Sequence, residues 1–385
     1  MDFRLSSEQK QLRREVREFL ADDPAMSARP FPEDGWISGW DRGFSRRLGQ
    51  KGWIGLTWPT RYGGMQRSYL DRLIVTEELL RAGAPVAAHW FGDRQIGPAL
   101  LAYGSDEQKH ELLPRIARGE LSFCVGMSEP NAGSDLAALA TQARVHEDGF
   151  SIRGQKTWTS FAPLADYCYL IARTDPDSDR HRGISELLVP MGTPGISVRP
   201  IRDMVGESHF GDVFFDDVRV PRSALIGKLN RGFYQIMQQL DYERSGIERL
   251  LSNYPLWRDA KRLARERGLT RDPAFRDRLT RVEIAWHAGR GMIYRVAALL
   301  SAGQIPNHEA AVAKTFCTSL EQHIAELAAE ILGPAAQLMP GDEQAPLDGR
   351  AARNLLYAPA YTIQGGTNNI LRNIIATRGL GLPVS

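Results

Sequence analysis

The chain has 385 residues, 43% of them hydrophobic and 24% charged, with a formal net charge of +2. That length reads as two or three packed domains of ordinary globular composition, and arginines interleaved with acids, as at Asp41, Arg42 and Arg46, create no field that would recruit nucleic acid. Cys124, Cys168 and Cys317 lack CxxC spacing, and no run nears the roughly 18 apolar residues of a membrane span, so a soluble protein of a reducing, cytoplasmic setting is expected, with no disulfide framework, no metal and no membrane partner.

Residues 1–120 read as a helical domain. Ser6 with Gln9 is a capping-box signature, and Leu12, Val16, Phe19 and Leu20 follow at helical spacing until a Pro- and Gly-rich break over residues 26–35. A loop dense in Gly, Pro and Trp, GWIGLTWPTRYGG at 52–64, precedes helical patterns over 69–82 and 105–118. Between those helices, His89, Trp90, Phe91 and Gln95 form a cluster that suits either a core or the wall of a ligand pocket.

From about Leu121 the period shortens to two. Phe150 with Ile152, and Tyr167, Tyr169 and Ile171, alternate with other residues, while Glu147, Asp148 and Gly149 supply a hairpin turn. GISELLVP, GISVRPI and DVFFDDVRVP extend the pattern through Pro221. Residues 121–230 therefore read as a β domain between two helical ones. The last domain, 231–385, has a helical period to about Gly333, a Gly- and Pro-rich loop over 333–349, and two helical stretches around QGGTNN. The predicted fold is mainly α with a β middle domain.

One helical stripe carries a chemical anomaly. Phe233, Ile236, Met237, Leu240, Ile247, Leu250 and Leu251 form an apolar face that Glu243 and Arg244 continue. An unpaired carboxylate there costs several kcal/mol to bury, so Glu243 is paired, protonated or functional.

MSEPNAGSD, residues 127–135, joins a hydroxyl, an acid, Pro, small residues and a Ser-Asp pair in a tight loop whose N–H groups and hydroxyls suit a polar ligand edge or a phosphate. It resembles the first signature of the acyl-CoA dehydrogenase family, and the resemblance extends along nearly the whole chain. GWIGLTWPTRYGG is similar to the family's early loop, GQKTWTSFAPLADY at 154–167 to its flavin-facing strand, VFFDDVRVP to the strand leading out of its β domain, and YTIQGGTNNILRNIIATRGLGLP to its C-terminal segment. The resemblance implies a helical domain, a β-barrel-like middle domain and a C-terminal four-helix bundle, with FAD as cofactor. It places Met127, Ser128, Trp158, Thr159 and Ser160 at the flavin, Ser134 toward flavin or thioester, and Thr367 and Asn369 at the flavin near the C-terminal loop. Trp158 alone would read as core packing.

Many members carry the catalytic acid in IYEGT, where this chain has IQGGT with Gly365 in its place. In the branch resembling isovaleryl-CoA and long-chain acyl-CoA dehydrogenases the base lies instead in a pattern like LDLER. Residues 240–244 read LDYER, so the resemblance makes Glu243 the base, with its pKa raised by burial and substrate toward working pH. The Gly365 N–H and a ribityl hydroxyl of FAD would receive the charge on the thioester oxygen. Asp241 and Arg244 either orient Glu243 or the substrate, or form an i, i+3 ion pair.

Two pyrophosphate-contacting elements look altered. An Arg-x-Phe-Gly element has no clear match in residues 265–279, and a Gln-Ile-Phe-Gly-Gly element reads EILGP, where Glu330 would repel a phosphate unless reoriented. The partners implied are an acyl-CoA thioester, electron-transfer flavoprotein or a similar acceptor, and either copies of the chain in a homodimer or homotetramer or a related subunit in a heterotetramer. Dehydrogenation of a carrier-protein-bound acyl or aminoacyl group, and a cofactor-sharing structural subunit, are the alternatives.

Overall fold

Gln9 N–H donates to Ser6 Oγ and Ser6 N–H to Gln9 Oε1, so the capping box starts the first helix where the sequence places it. The computed structural model describes residues 4–27, 34–244 and 246–383, less the side chains at 238 and 240–244. The expected break over 26–35 thus falls mostly outside the described residues. The early helices are α1 (Ser7–Asp22), α2 (Pro24–Ser27), α3 (Arg42–Gln50), α4 (Tyr69–Arg81), α5 (Ala87–Phe91), α6 (Gly97–Tyr103) and α7 (Asp106–Ala117). Strands follow: β1 (Phe123–Gly126), β2 (Gln142–Val145), β3 (Gly149–Ser160), β4 (Tyr167–Arg173), β5 (Ile184–Pro190), β6 (Ile196–Ile201), β7 (Phe210–Pro221) and β8 (Leu225–Ile226). The chain then runs through α8 (Gly232–Arg244), α9 (Glu248–Leu251), α10 (Tyr254–Glu266), α11 (Pro273–Ser301), α12 (Asn307–Leu332), α13 (Arg350–Tyr361) and α14 (Asn368–Ile374). Helices with a central sheet are the architecture expected.

Two compact units divide the chain, one of residues 1–39, 68–85 and 244–385, the other of 40–67 and 86–243. In the second, the strands pair in the order β6-β7-β3-β2-β4-β5-β8, with β1 parallel to β4. β4 and β5 are buried on both faces and accordingly read as largely apolar runs, broken in β5 by Ser185 and Glu186, whereas β6, at the edge, alternates and carries Arg199 and Pro200. The β2–β3 hairpin turns at residues 146–148, close to the expected position. Ala143, Ile152, Leu170, Leu187, Val189, Val213 and Val218 meet in its core.

The first unit is helical. Its interior holds Glu77 of α4, whose carboxylate accepts from Arg290 Nε at 2.6 Å, Arg290 Nη2 at 2.9 Å and Tyr294 O–H at 2.8 Å, both donors lying on α11. Arg13 of α1 adds a second cation at 3.4 Å and Arg81 of α4 a third at 3.6 Å. A carboxylate with no exposed surface is tolerable only with such partners.

Candidate active site

The signature loop 127–135 is held from beneath by a charge pair. Lys156 is fully buried, and its Nζ donates to Glu129 Oε1 at 2.7 Å and to the Met127 carbonyl at 3.0 Å. Glu129 also accepts the Ala140 N–H at 2.6 Å and the Thr141 N–H at 2.9 Å. Burial works to raise the Glu129 pKa, but the Lys156 charge and these donors outweigh it and hold the carboxyl below its ordinary value. Desolvation lowers the pKa of Lys156, and Glu129 offsets part of that. Neither residue was singled out from the sequence as a structural clamp, although both stand inside the matched motifs; the available signal was an acid in a loop and a Lys in a strand 27 positions apart.

The same strand turns Trp158 outward. Between Lys156/Val213 and Thr159/Gly211 the register of β3 on β7 slips, so three steps on β3 span two on β7. This bulge puts Trp158 at φ 55°, a left-handed conformation that a bulky side chain rarely adopts. Simple alternation would bury Trp158 beside Lys156; instead its indole is 58% exposed, with Phe210 edge-on at 5.8 Å, while Lys156 and Thr159 lie inside. Buried Thr159 Oγ1 has no hydrogen-bond partner among the described residues. Ser128 and Ser160 are half-buried, and the Ser128 carbonyl accepts the Thr157 N–H at 2.8 Å. An exposed aromatic plate, flanking hydroxyls and an orphaned buried hydroxyl suit a planar, polar-edged ring, so these residues fit a flavin. Ser134 is exposed beside an ion pair between Asp135 and Arg180.

In the helical unit, the IQGGT loop follows α13. Gly365 and Gly366 have φ of 68° and 93°, so two successive left-handed residues make the turn, and an acid at position 365 would be strained in this conformation. A buried cation clamps this loop as well. Lys314 of α12 donates to the Gly366 carbonyl at 2.9 Å and to Asn368 Oδ1 at 3.2 Å, and Thr318, one turn on, reaches Asn368 Oδ1 at 3.3 Å. Thr367 Oγ1 accepts the Ile370 N–H and caps α14, while exposed Asn369 accepts from Arg372. Asn368, which the sequence reading passed over, is the loop's buried anchor.

The expected base lies on α8. Its backbone there is helical through Arg244, whereas the side chains of Asp241, Glu243 and Arg244 lie outside the described residues. His89 and Trp90 are core residues of the sheet-containing unit, His89 Nδ1 lying 2.8 Å from Ser45 Oγ, and Phe91 and Gln95 are half-buried. Glu330 does not stand as a lone negative charge. Arg278 forks onto its carboxylate, Nη2 to Oε1 at 2.6 Å, and that hydrogen bond lowers the Glu330 pKa. Arg267 Nη1 donates to the Ile331 carbonyl at 2.8 Å and closes the end of α12. Asp203, Glu207 and His209 gather on the β6–β7 loop, where Asp203 Oδ1 accepts the Val205 and Glu207 N–H groups and so closes the turn.

The exposed indole, flanking hydroxyls and orphaned Thr159 hydroxyl of the sheet-containing unit suit a flavin-dependent oxidoreductase. Residues 6–120, 124–218 and 230–380 match, in that order, the acyl-CoA dehydrogenase N-terminal, middle and C-terminal domains. The chain belongs to the acyl-CoA dehydrogenase family. It is 38% identical over 346 residues to acyl-CoA dehydrogenase IpdE1 of Mycobacterium tuberculosis, covering 89% of this chain and 88% of that one. Among solved structures it is similar to the Tcur3481-Tcur3483 steroid ACAD, with a TM-score of 0.91 and 33% identity over the whole of both chains. The ChsE4-ChsE5 complex from Mycobacterium tuberculosis gives a TM-score of 0.88 and 36% identity, again over both whole chains. The chain is an oxidoreductase acting on CH–CH groups, with FAD as the family's cofactor. Among the described residues no helix is long and apolar enough to cross a membrane.

Proposed function

We propose that this chain removes the α proton of an acyl-CoA with Glu243 while hydride leaves the β carbon, giving a trans-2-enoyl-CoA. The observation that carries the assignment is the paired change in the two motifs: Gly365, at positive φ, replaces the loop acid, and LDYER lies on α8 with helical backbone through Glu243. FAD, when bound, supplies the hydride acceptor. Met127, Ser128, Trp158, Thr159 and Ser160, with Thr367 and Asn369 of the C-terminal loop, would hold its ring. The Gly365 N–H meets the thioester oxygen as negative charge develops there, a contribution of a few kcal/mol where such donors are preorganised. Lys314 holds that turn in place through the neighbouring Gly366 carbonyl.

Similarity to a steroid enzyme over the full chain supports an acyl-CoA borne on a steroid skeleton as substrate, with Ser134, Asp241 and Arg244 toward its polar portion. The Arg278–Glu330 pair lies in the two stretches whose pyrophosphate-contacting pattern is altered, which supports assembly with a related subunit that would complete the cofactor site. Electron-transfer flavoprotein, or a similar acceptor, reoxidises the complex in a cytoplasmic setting.

Anaerobic flavin bleaching with butyryl-, octanoyl-, isovaleryl- and steroid-borne acyl-CoA tests substrate and chemistry together. Glu243→Gln is expected to slow bleaching by roughly 10² to 10⁴. A variant that bleaches at the wild-type rate removes Glu243 from the mechanism. Counting FAD per chain, alone and with a co-expressed related subunit, tests the shared site.

A further inference from the structure

Another buried carboxyl lies in the sheet-containing unit, outside the residues assigned above. Glu186 stands in the middle of β5, has no exposed surface, and interrupts a strand whose other interior residues are Ile, Ser, Leu, Leu and Val. Among the described residues its partners are neutral donors only. Gln235 Nε2 reaches Oε2 at 2.6 Å, Gln239 Nε2 reaches Oε1 at 3.2 Å, and Tyr169 of β4 hydrogen-bonds the carboxyl as well. Gln239 Nε2 also donates to Tyr169 Oη at 2.8 Å. Desolvation pushes the Glu186 pKa up to about 8, with the two glutamines and Tyr169 opposing it. A carboxyl kept in the core without a cation is costly to stability, and an apolar residue would fill β5 more cheaply.

Its two glutamine partners sit four residues apart on one face of α8. We infer that Glu186, with Gln235, Gln239 and Tyr169, is a positioning device that fixes the roll and axial register of the helix bearing Glu243. The inference rests on the reading of Glu243 as the base.

The start of α8 is seated directly on β5. A Cβ at Gly232 would lie 2.8 Å from the Ser185 carbonyl carbon and 3.0 Å from Glu186 N, so only glycine allows this approach. Asn230 N–H donates to Ser185 Oγ at 2.8 Å, and Gln235 is engaged at both ends, accepting from Lys228 N–H at 3.1 Å and donating to the Ile226 carbonyl at 3.2 Å. These bonds locate the first turn. Gln239, one turn on, is the last described polar anchor before Glu243. At 100° and 1.5 Å per residue, Glu243 lies about 6 Å beyond Gln239 and about 40° around the helix. Any roll permitted at Gln239 is therefore passed to Glu243 with little change. Misplacing a reacting group by about 1 Å can cost on the order of 10²-fold in rate.

Glu186→Gln puts an amide N–H2 among donors and mismatches the network without changing its volume. With saturating acyl-CoA, chosen as the fastest of the four above, its flavin-reduction rate constant is expected to fall between about 10- and 100-fold. Half-saturation should change less than about 2-fold, and the pH midpoint of the reduction rate should move. The double variant E186Q/Q239E exchanges acceptor and donor roles and is expected to recover most of the rate. Amide hydrogen exchange over residues 236–244, which needs no substrate, should accelerate in E186Q and slow again in the double variant. Should E186Q yield no soluble flavoprotein, Gln239→Met, which leaves Gln235 and Tyr169 on the carboxyl, is measured in the same way.

A purely structural role predicts a lower unfolding midpoint with an unchanged rate constant, pH midpoint and exchange over α8, and that result overturns the inference. Failure of the underlying reading looks different: E243Q itself then reduces flavin at the wild-type rate.

Discussion

Replacing Lys156 by Met removes the only cation on Glu129 among the described residues while keeping the volume that fills the core behind the signature loop. Glu129 would retain the Ala140 and Thr141 N–H groups, but its carboxylate, only 7% exposed, would be left as a buried net charge. Removing one partner of a buried pair typically costs about 3–5 kcal/mol, because the stranded ion has lost its solvent without recompense. That cost is expected for Lys156→Met in urea unfolding at pH 7. Flavin content should fall as well, since the freed Met127–Glu129 segment carries the Ser128 hydroxyl. The double variant K156M/E129Q has no ion to strand and should lie within about 2 kcal/mol of the wild type, its remaining deficit being one mismatched amide hydrogen.

The pH dependence follows with a definite sign. In the wild type the folded Glu129 pKa is depressed, so its stabilisation is fully present above the ordinary value of about 4.3 and is lost as pH falls through the folded pKa. Without Lys156, desolvation dominates and raises that pKa. Protonation then relieves the stranded charge, and the deficit of K156M against the wild type should shrink as pH falls from about 7 toward about 4. A cost under about 1 kcal/mol at pH 7, or a deficit independent of pH, would refute the assignment of the pair as a buried clamp.

Two further substitutions separate binding from folding. Trp158→Ala removes a side chain that is mostly in solvent, so the unfolding free energy should move by no more than about 1 kcal/mol while FAD per chain, read by absorbance after desalting, drops clearly. An unchanged flavin content would take Trp158 out of the cofactor site. Lys314→Met leaves the half-buried Gly366 carbonyl without this donor, at about 1–3 kcal/mol, and leaves Asn368 Oδ1 with the Thr318 hydroxyl. Circular dichroism should show helix content retained and stopped-flow bleaching a slower reduction; wild-type reduction kinetics would show that the Gly365 turn does not depend on this clamp.

Much of the molecule was legible from local pattern. The capping box at Ser6, the change of period near Leu121, the hairpin at residues 147–149 and the glycines of IQGGT each depend on neighbours within a turn or a strand, and each lies at or near its expected place. The motif MSEPNAGSD and the segments that accompany it likewise point to acyl-CoA dehydrogenation, the function the family match bears out. Locally encoded features of this kind follow from backbone sterics and from the spacing of apolar residues.

What the fold alone decided were the buried charges and the direction of one aromatic ring. Lys156 meets Glu129 across 27 residues, Lys314 meets Gly366 across 52, and Glu186 meets Gln239 across 53. A Lys or Glu in an apolar run signals that a partner must exist, because burial without one is prohibitive, but it does not say which segment supplies it. Trp158 is the complementary case. Strict alternation would place it in the core, and only the slip of β3 against β7 turns it to face outward, because a register shift is a property of two paired strands.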